Sequence, residues 1–510
     1  MILTIDGKTL TLEQIYNFGC NHDIKVSVSK EAWLKVVEGR KVIEKKLENK
    51  ETIYGVNTGF GLFSTERIDP CHYVELQENL IRSHSVGTGA PLSSSQTRML
   101  MLLRINVLTK GNSGISKETL EKIIKCLNAN CLPKVPCQGT VGASGDLAPL
   151  SHLALGLMGE GEMLDPCTKT FKNSIDVLNS HNLEPIKLKV KEGLALINGT
   201  QFITCIGVEA TVRARNIANQ ADIVSALTLD VLKGTTSAFD AQIHNARPHI
   251  GQILVAERLR SLLHSKNNPS EISISHQKCG RVQDSYSMRC IPQVHGIVHD
   301  TIKFVEIVLK TECNSATDNP MIFAETGDII SGGNFHGEYP AKVLDYLAIG
   351  IHEIASISER RLERLMNPNL NNGLPAFLVK NGGLNSGFMI AHCTAASLVS
   401  ENKVLTHPSS VDSISTSGGK EDHVSMGGFA SRKALQVVEH VEKVIAIELL
   451  CACQALDLLR PLTTTKKLED VYKLVRKYVK PYDKDRYMHK DIEKVTELLR
   501  KNMIWEVADI

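Results

Sequence analysis

Long stretches without a helix breaker constrain this chain more than any other feature. Val294, Val298, Ile302, Val305 and Leu309 form one apolar stripe at three- and four-residue spacing. Val343, Leu347, Ile351, Ile354 and Leu362 form a second, which stops at Asn367-Pro368, and Leu435, Val438, Val441, Ile445 and Leu449 a third, which stops before Pro461. A period of 3.6 held this long predicts buried amphipathic helices of twenty or more residues. No strand-rich region of comparable length and no fixed-period repeat is present, so a solenoid is disfavoured. The expected fold is mainly α. A loop-rich N-terminal portion over residues 1–192 is expected to pack on a long central helical bundle with a C-terminal helical extension over 193–510.

The charge balance excludes several partners. Lys and Arg number 58 against 56 Asp and Glu, for a formal charge of +2, and only 5% of residues are aromatic. Neither a basic stripe nor an aromatic platform is available for nucleic acid. The most apolar run, Val444 to Leu459, contains Glu448, Gln454 and Asp457, so no membrane span is expected. Met1–Asp6 has no basic start and no sustained apolar run, so no signal peptide is expected. Thirteen scattered cysteines without a two-residue gap argue for reduced thiols, a cytoplasmic setting and no metal site.

Polar residues gather in four glycine-rich loops, Tyr54–Gly61, Gly139–Asp146, Ser331–Tyr339 and Ser413–Ser425. Loops carried on a rigid scaffold are where function concentrates. Three familiar motifs fail. Gly142-Ala143-Ser144-Gly145 continues with Asp146 and so is not a nucleophile elbow, no phosphate-binding loop occurs, and His352-Glu353 lacks a histidine at position 356.

Ala143-Ser144-Gly145 offers a different chemistry. Gly145 has no side chain, so its amide nitrogen can approach the Ala143 carbonyl. Ring closure around Ser144 with loss of water would leave a dehydroalanine-type methylene, an electrophile. By itself the segment reads more readily as a small-residue turn with Ser144 or Asp146 as a helix N-cap.

The wider context resembles the aromatic amino-acid ammonia-lyases, which form 4-methylidene-imidazol-5-one from Ala-Ser-Gly. Tyr54-Gly55-Val56-Asn57-Thr58-Gly59-Phe60-Gly61 is similar to the family's mobile tyrosine loop, and Asn198-Gly199-Thr200 to its asparagine motif. Gln283-Asp284-Ser285-Tyr286-Ser287-Met288-Arg289 resembles its Gln/Tyr/Arg segment. Ala316-Thr317-Asp318-Asn319-Pro320 and Gly332-Gly333-Asn334-Phe335-His336-Gly337 resemble further blocks, and all follow the family's order over about residues 50–430.

The resemblance implies roles. The Ala143–Gly145 cross-link, with Ser144 dehydrated, is the electrophile, and no external cofactor is needed. Tyr54 is the base for the β-hydrogen, which requires help to ionise a phenol of reference pKa about 10. Arg289 clamps the substrate carboxylate as a bidentate fork. Asn198, Gln283 and Tyr286 hydrogen-bond the ring oxygen or the substrate, and Phe335 packs beside it.

Ser83-His84 and Glu421 resemble the histidine-specific branch, whereas phenylalanine-specific members usually carry Phe-Leu at the first position and tyrosine-specific ones His-Leu. L-Histidine is therefore the implied substrate and trans-urocanate plus ammonia the products. Gly418-Gly419-Lys420 departs from the Ala-Asn-Gln of many bacterial members. The family also implies a homotetramer with shared sites. The remaining alternatives are a tyrosine or phenylalanine ammonia-lyase, a related aminomutase, or a catalytically dead helical scaffold.

Overall fold

The three apolar stripes become helices Ile291–Cys313, Glu338–Met366 and Gly427–Leu459 in the computed structural model, which describes residues 1–510. Val298, Ile302, Val305, Leu347, Ile351, Ile354, Leu362, Val438, Val441, Ile445 and Leu449 are all buried. Each such side chain contributes about 1.5–3 kcal/mol when removed from water. A fourth long helix, Gln201–Val231, follows the short helix Glu192–Ile197, where the sequence changes from glycine-rich to uninterrupted. The chain is mainly helical, and its strands form only small two- and three-stranded sheets. No helix is long and apolar enough to cross a membrane.

Contacts divide the chain into two units, each built from three segments, where the sequence suggested one linear cut after residue 192. The first comprises Met1–Glu209, Glu306–Asp345 and Pro408–Arg432. Its centre is the helix Ser94–Leu108, buried from Thr97 onward and opened by a capping box between Ser93 and Gln96. The buried Arg104 of this helix donates to the carbonyls of Asn198 and Ala195 and to Gln201 Oε1. It thereby satisfies carbonyls left without helical partners at the end of Glu192–Ile197 and at Asn198.

The second unit comprises Ala210–Val305, Tyr346–His407 and Lys433–Ile510. Arg361 and Glu448, both fully buried, pair at 2.6 Å, with Ser358 donating to the same carboxylate. Asp222 accepts from Arg258 at 2.8 Å and hydrogen-bonds His295 and His299 at 2.7 and 3.0 Å. The carboxylates of Glu448 and Asp222 are thus each paired with buried cationic or imidazole groups, as burial demands. On the outer side of this unit, Ile297, Phe304, Tyr346 and Ile349 are exposed along an open apolar groove.

Candidate functional site

The Ala143-Ser144-Gly145 loop runs from the strand Pro136–Gln138 to the helix Leu147–Leu157, and its neighbours press on it from several sides. Met426 N donates to Val141 O at 2.8 Å, Ser425 Oγ to Gly142 O at 3.2 Å, and Thr140 Oγ1 to Gly145 O at 3.1 Å. Gly145 has φ +79° and bridges Gly199, and a Cβ built on it would lie 2.2 Å from Gly199 O. Only glycine fits there, on both conformational and steric grounds.

Asp146 precedes the helix Leu147–Leu157, yet its side chain makes no capping bond to it. The carboxylate turns to the start of Gln201–Val231 and accepts from Phe202 N and Ile203 N at 2.9 and 3.0 Å. Those amides carry the positive end of the helix dipole. Burial pushes the Asp146 carboxyl up to about 7, against the lowering effect of the two amides.

Eight of the residues expected from the sequence, Tyr54, His84, Ala143, Ser144, Gly145, Asn198, Phe335 and Glu421, belong to the first unit. Ser144 Oγ donates to Glu421 Oε1 at 2.5 Å, and Asn198 Nδ2 donates to the Ser144 carbonyl at 3.3 Å. Asn198 Oδ1 is buried without a partner. The buried Ala143 completes the segment. His84, at the end of the helix Tyr73–His84, has its Nδ1 3.0 Å from Ser83 Oγ and interacts electrostatically with Glu421. Burial lowers the His84 pKa, opposed by the Leu80 carbonyl and by Glu421.

Glu421 is held on its other oxygen. Thr416 Oγ1 and Ser417 Oγ donate to Oε2 at 2.8 and 2.6 Å. Burial raises the Glu421 pKa, but the hydrogen bonds from Ser144, Ser417 and Thr416, together with His84, outweigh it, so the carboxyl titrates below its ordinary value.

Tyr54 belongs to the same unit. Its hydroxyl accepts from Gly61 N of its own loop at 3.0 Å, and its ring meets Phe60 edge-on. Gln77 Nε2 donates to Gly55 O at 3.2 Å, which ties the tyrosine loop to the helix that carries His84. Phe335 is half-buried, two residues before Gly337, whose amide donates to Gly142 O.

Gln283, Tyr286 and Arg289 lie in the second unit as a cluster of their own. Arg289 Nη1 donates to Gln283 Oε1 at 2.7 Å, and the guanidinium stacks 4.9 Å from the exposed Tyr286 ring. Arg289 Nε is buried without a partner. Asp284 Oδ2 anchors the segment by accepting from Thr235 N.

Sequence reasoning did not single out Thr140, Ser425, Thr416 or Ser417, and it read Asp146 only as a candidate cap of the helix that follows it. Their signal was position alone, inside loops already marked as polar and glycine-rich. Asp165, Cys167 and His181 also bring three potential metal-ligating atoms within 4.8 Å. The oxygens of Asp165 are already used by Cys167 N, Thr168 Oγ1 and Lys172 Nζ, an arrangement that serves as a turn and an ion pair.

Comparison with known proteins agrees with this geometry. The aromatic amino acid lyase family model matches residues 10–477. A histidine ammonia-lyase from Bos taurus is 62% identical over 99% of this chain and 77% of its own length. The crystal structure of histidine ammonia-lyase from Trypanosoma cruzi, 53% identical, superposes with a TM-score of 0.92 over 100% of this chain and 95% of that one. A tyrosine aminomutase from Streptomyces globisporus is 36% identical, with a TM-score of 0.94 over 100% and 99%. The fold is that of these enzymes, and the chain is a carbon–nitrogen lyase. The chain belongs to the aromatic amino acid lyase family.

Proposed function

We propose that this chain removes ammonia from L-histidine without oxidation, giving trans-urocanate, the opening step of histidine breakdown. The observation that carries the reading is the 2.5 Å contact between Ser144 Oγ and Glu421 Oε1. It sets the side chain that would become the electrophile beside a carboxylate suited to an imidazole N–H.

The residues present fit a 4-methylidene-imidazol-5-one. Closure of Gly145 N onto the Ala143 carbonyl releases that oxygen as one water, taking one hydrogen from each of the Gly145 and Ser144 amides. Loss of Ser144 Oγ with the Ser144 α-hydrogen gives the second. Gly145 is pressed against Gly199 where no Cβ could stand, and Asn198 donates to the Ser144 carbonyl, the oxygen the ring would retain. Once formed, such a ring would supply a methylene electrophile for the substrate amine.

The side chains account for the remaining needs. Tyr54 takes the β-proton, because a positioned base addresses a weakly acidic C–H. Asn198 withdraws electron density through the Ser144 carbonyl. Glu421 and His84 face the imidazole, and Phe335 packs at its side. The Gln283–Tyr286–Arg289 cluster binds the substrate carboxylate, with Arg289 as the two-pronged donor.

We further infer a homotetramer in which that cluster serves a neighbouring subunit's site. Its support is the exposure of Tyr286 at 72% and the bare apolar groove lined by Ile297, Phe304, Tyr346 and Ile349. Thirteen cysteines outside any disulfide suit a reducing compartment, so the assigned location is the cytoplasm. A spectrophotometric assay tests the function. Urocanate absorbance should rise with L-histidine, and neither L-phenylalanine nor L-tyrosine should give a comparable signal for its own product. Absence of urocanate from pure, ring-bearing protein rejects the reading.

A further inference from the structure

The turn that carries Glu421 is built with evident constraint. Thr416 and Glu421 pair as an isolated antiparallel bridge, with Thr416 N donating to Glu421 O at 3.0 Å. Between them Ser417, Gly418 and Gly419 all take positive φ, at 53°, 65° and 82°. Glycine adopts that region freely, but serine does so against its Cβ. A non-glycine residue held there, beside a functional group, calls for an explanation in what its side chain does. Ser417 uses the strained position to bring its hydroxyl to Glu421 Oε2 at 2.6 Å, where Thr416 Oγ1 arrives at 2.8 Å.

The consequence is an asymmetric carboxylate. Oε2 holds two local donors, whereas the donor to Oε1 is the Ser144 hydroxyl. That hydroxyl leaves as water when the electrophile forms, which opens Oε1. We propose that Thr416 and Ser417 are positioning residues for the reaction. They hold Glu421 by one oxygen so that the other is presented to the imidazole N–H of the substrate, which takes the place vacated by Ser144. The inference rests on the histidine reading above and concerns how that ring is held.

The electrostatics agree. Burial works against the charge on Glu421, and three hydroxyl donors together with His84 keep it ionised. After Ser144 is dehydrated, only Thr416, Ser417 and His84 remain of these. The groups facing Glu421 are His84 from the helix Tyr73–His84, Ser144 from the Ala-Ser-Gly loop, and Thr416 and Ser417 from its own turn, with Lys420 adjacent in the chain. Removing both turn hydroxyls leaves burial less opposed, so Glu421 should protonate at a higher pH.

The test compares wild type with Thr416→Val, Ser417→Gly, the double variant and Thr416→Ser. Ser417→Gly is chosen because it relieves the positive-φ strain while deleting the hydroxyl, so it should fold with an unchanged or raised Tm. All variants should show the mass loss of ring formation. KM for L-histidine should rise roughly tenfold for each single loss and up to about a hundredfold for the double, the range for hydrogen bonds to a charged group, with kcat falling less. The acid limb of kcat/KM should move up by about one pH unit in the double variant. His84 titrates in both proteins, so the difference between profiles isolates Glu421. Thr416→Ser should restore wild-type behaviour. Imidazole binding measured by calorimetry should weaken in parallel with KM. An active wild type whose double variant keeps its KM, acid limb and imidazole affinity overturns the positioning role alone. So do losses that follow a fall in Tm and are not restored by Thr416→Ser. A ring-bearing wild type that neither turns over histidine nor binds imidazole overturns the substrate reading, and this inference with it.

Discussion

Ser144 and Glu421 stand 277 positions apart in the chain and meet at 2.5 Å through a hydroxyl and a carboxylate. Two loops of the same unit create that meeting. One is fixed by Asn198, Gly199, Ser425 and Met426, and the other is folded back on itself by Thr416 and Ser417. In the proposed function, that meeting joins the group that would become the electrophile to the group that would read the substrate.

Ser144 should be absent as serine in the mature protein. Loss of two waters removes about 36 Da from the peptide containing Ala143–Gly145. Intact-peptide mass spectrometry reads this directly. Ser144→Ala should retain the fold by circular dichroism and lose nearly all turnover. Unmodified Ser144 in fully active enzyme would contradict the proposal.

Gly145→Ala should stop ring formation and weaken the fold. Its Cβ would stand 2.2 Å from Gly199 O, and the residue would keep a positive φ. The combined clash and strain should cost about 1–3 kcal/mol. Thermal unfolding and peptide mass together check this, since the variant should show both a lowered Tm and no mass loss.

Tyr54→Phe should keep the ring, the fold and substrate binding, because it removes one hydroxyl and leaves the edge-on contact with Phe60. Turnover should fall about 10²–10⁴-fold, the usual effect of deleting a general base. Single-turnover kinetics with β-deuterated histidine should locate the loss in the proton-removal step. Wild-type kcat in this variant would assign the base elsewhere.

Asp146 should leave a signature in stability against pH. Its folded carboxyl is raised from 3.8 to about 7 by burial. A raised folded pKa contributes stability that is fully present below the unfolded value and is lost as pH rises through the folded one. Wild type should therefore lose stability between about pH 4 and 7 relative to Asp146→Asn, whose amide oxygen can still accept from Phe202 and Ile203. Denaturant unfolding of both proteins across that range supplies the comparison. A constant difference would show that Asp146 does not titrate there.

Much of this was legible in the sequence because the relevant signals are local. The stripe from Val294 to Leu309 is periodic, and the structure gives the helix Ile291–Cys313. The Ala-Ser-Gly segment and the tyrosine loop are contiguous strings, and their glycines mark tight backbone. Other features are products of tertiary contact. Asp146 looks like the cap of the helix that follows it, yet it serves Gln201–Val231, because buried amide groups 56 and 57 positions away compete for it. Thr416 and Ser417 are ordinary hydroxyl residues in a polar loop, and nothing in their spacing states that both reach the same oxygen. Units assembled from three separate segments likewise have no expression as one cut at residue 192.

The most direct test of the account is kcat/KM for L-histidine and L-phenylalanine in wild type, in Glu421→Gln and in the double replacement Ser83→Phe with His84→Leu. An imidazole needs polar partners once buried, and a phenyl ring would leave His84 and Glu421 unsatisfied, at about 1–3 kcal/mol for each group. Wild type should favour histidine by at least about a hundredfold. Glu421→Gln should lose histidine efficiency because the amide keeps the shape without the charge, and the double replacement should lower histidine activity much more than any phenylalanine activity. Equal wild-type efficiency on the two amino acids, or unchanged histidine efficiency in Glu421→Gln, would contradict the assignment of His84 and Glu421 as the groups that choose the substrate.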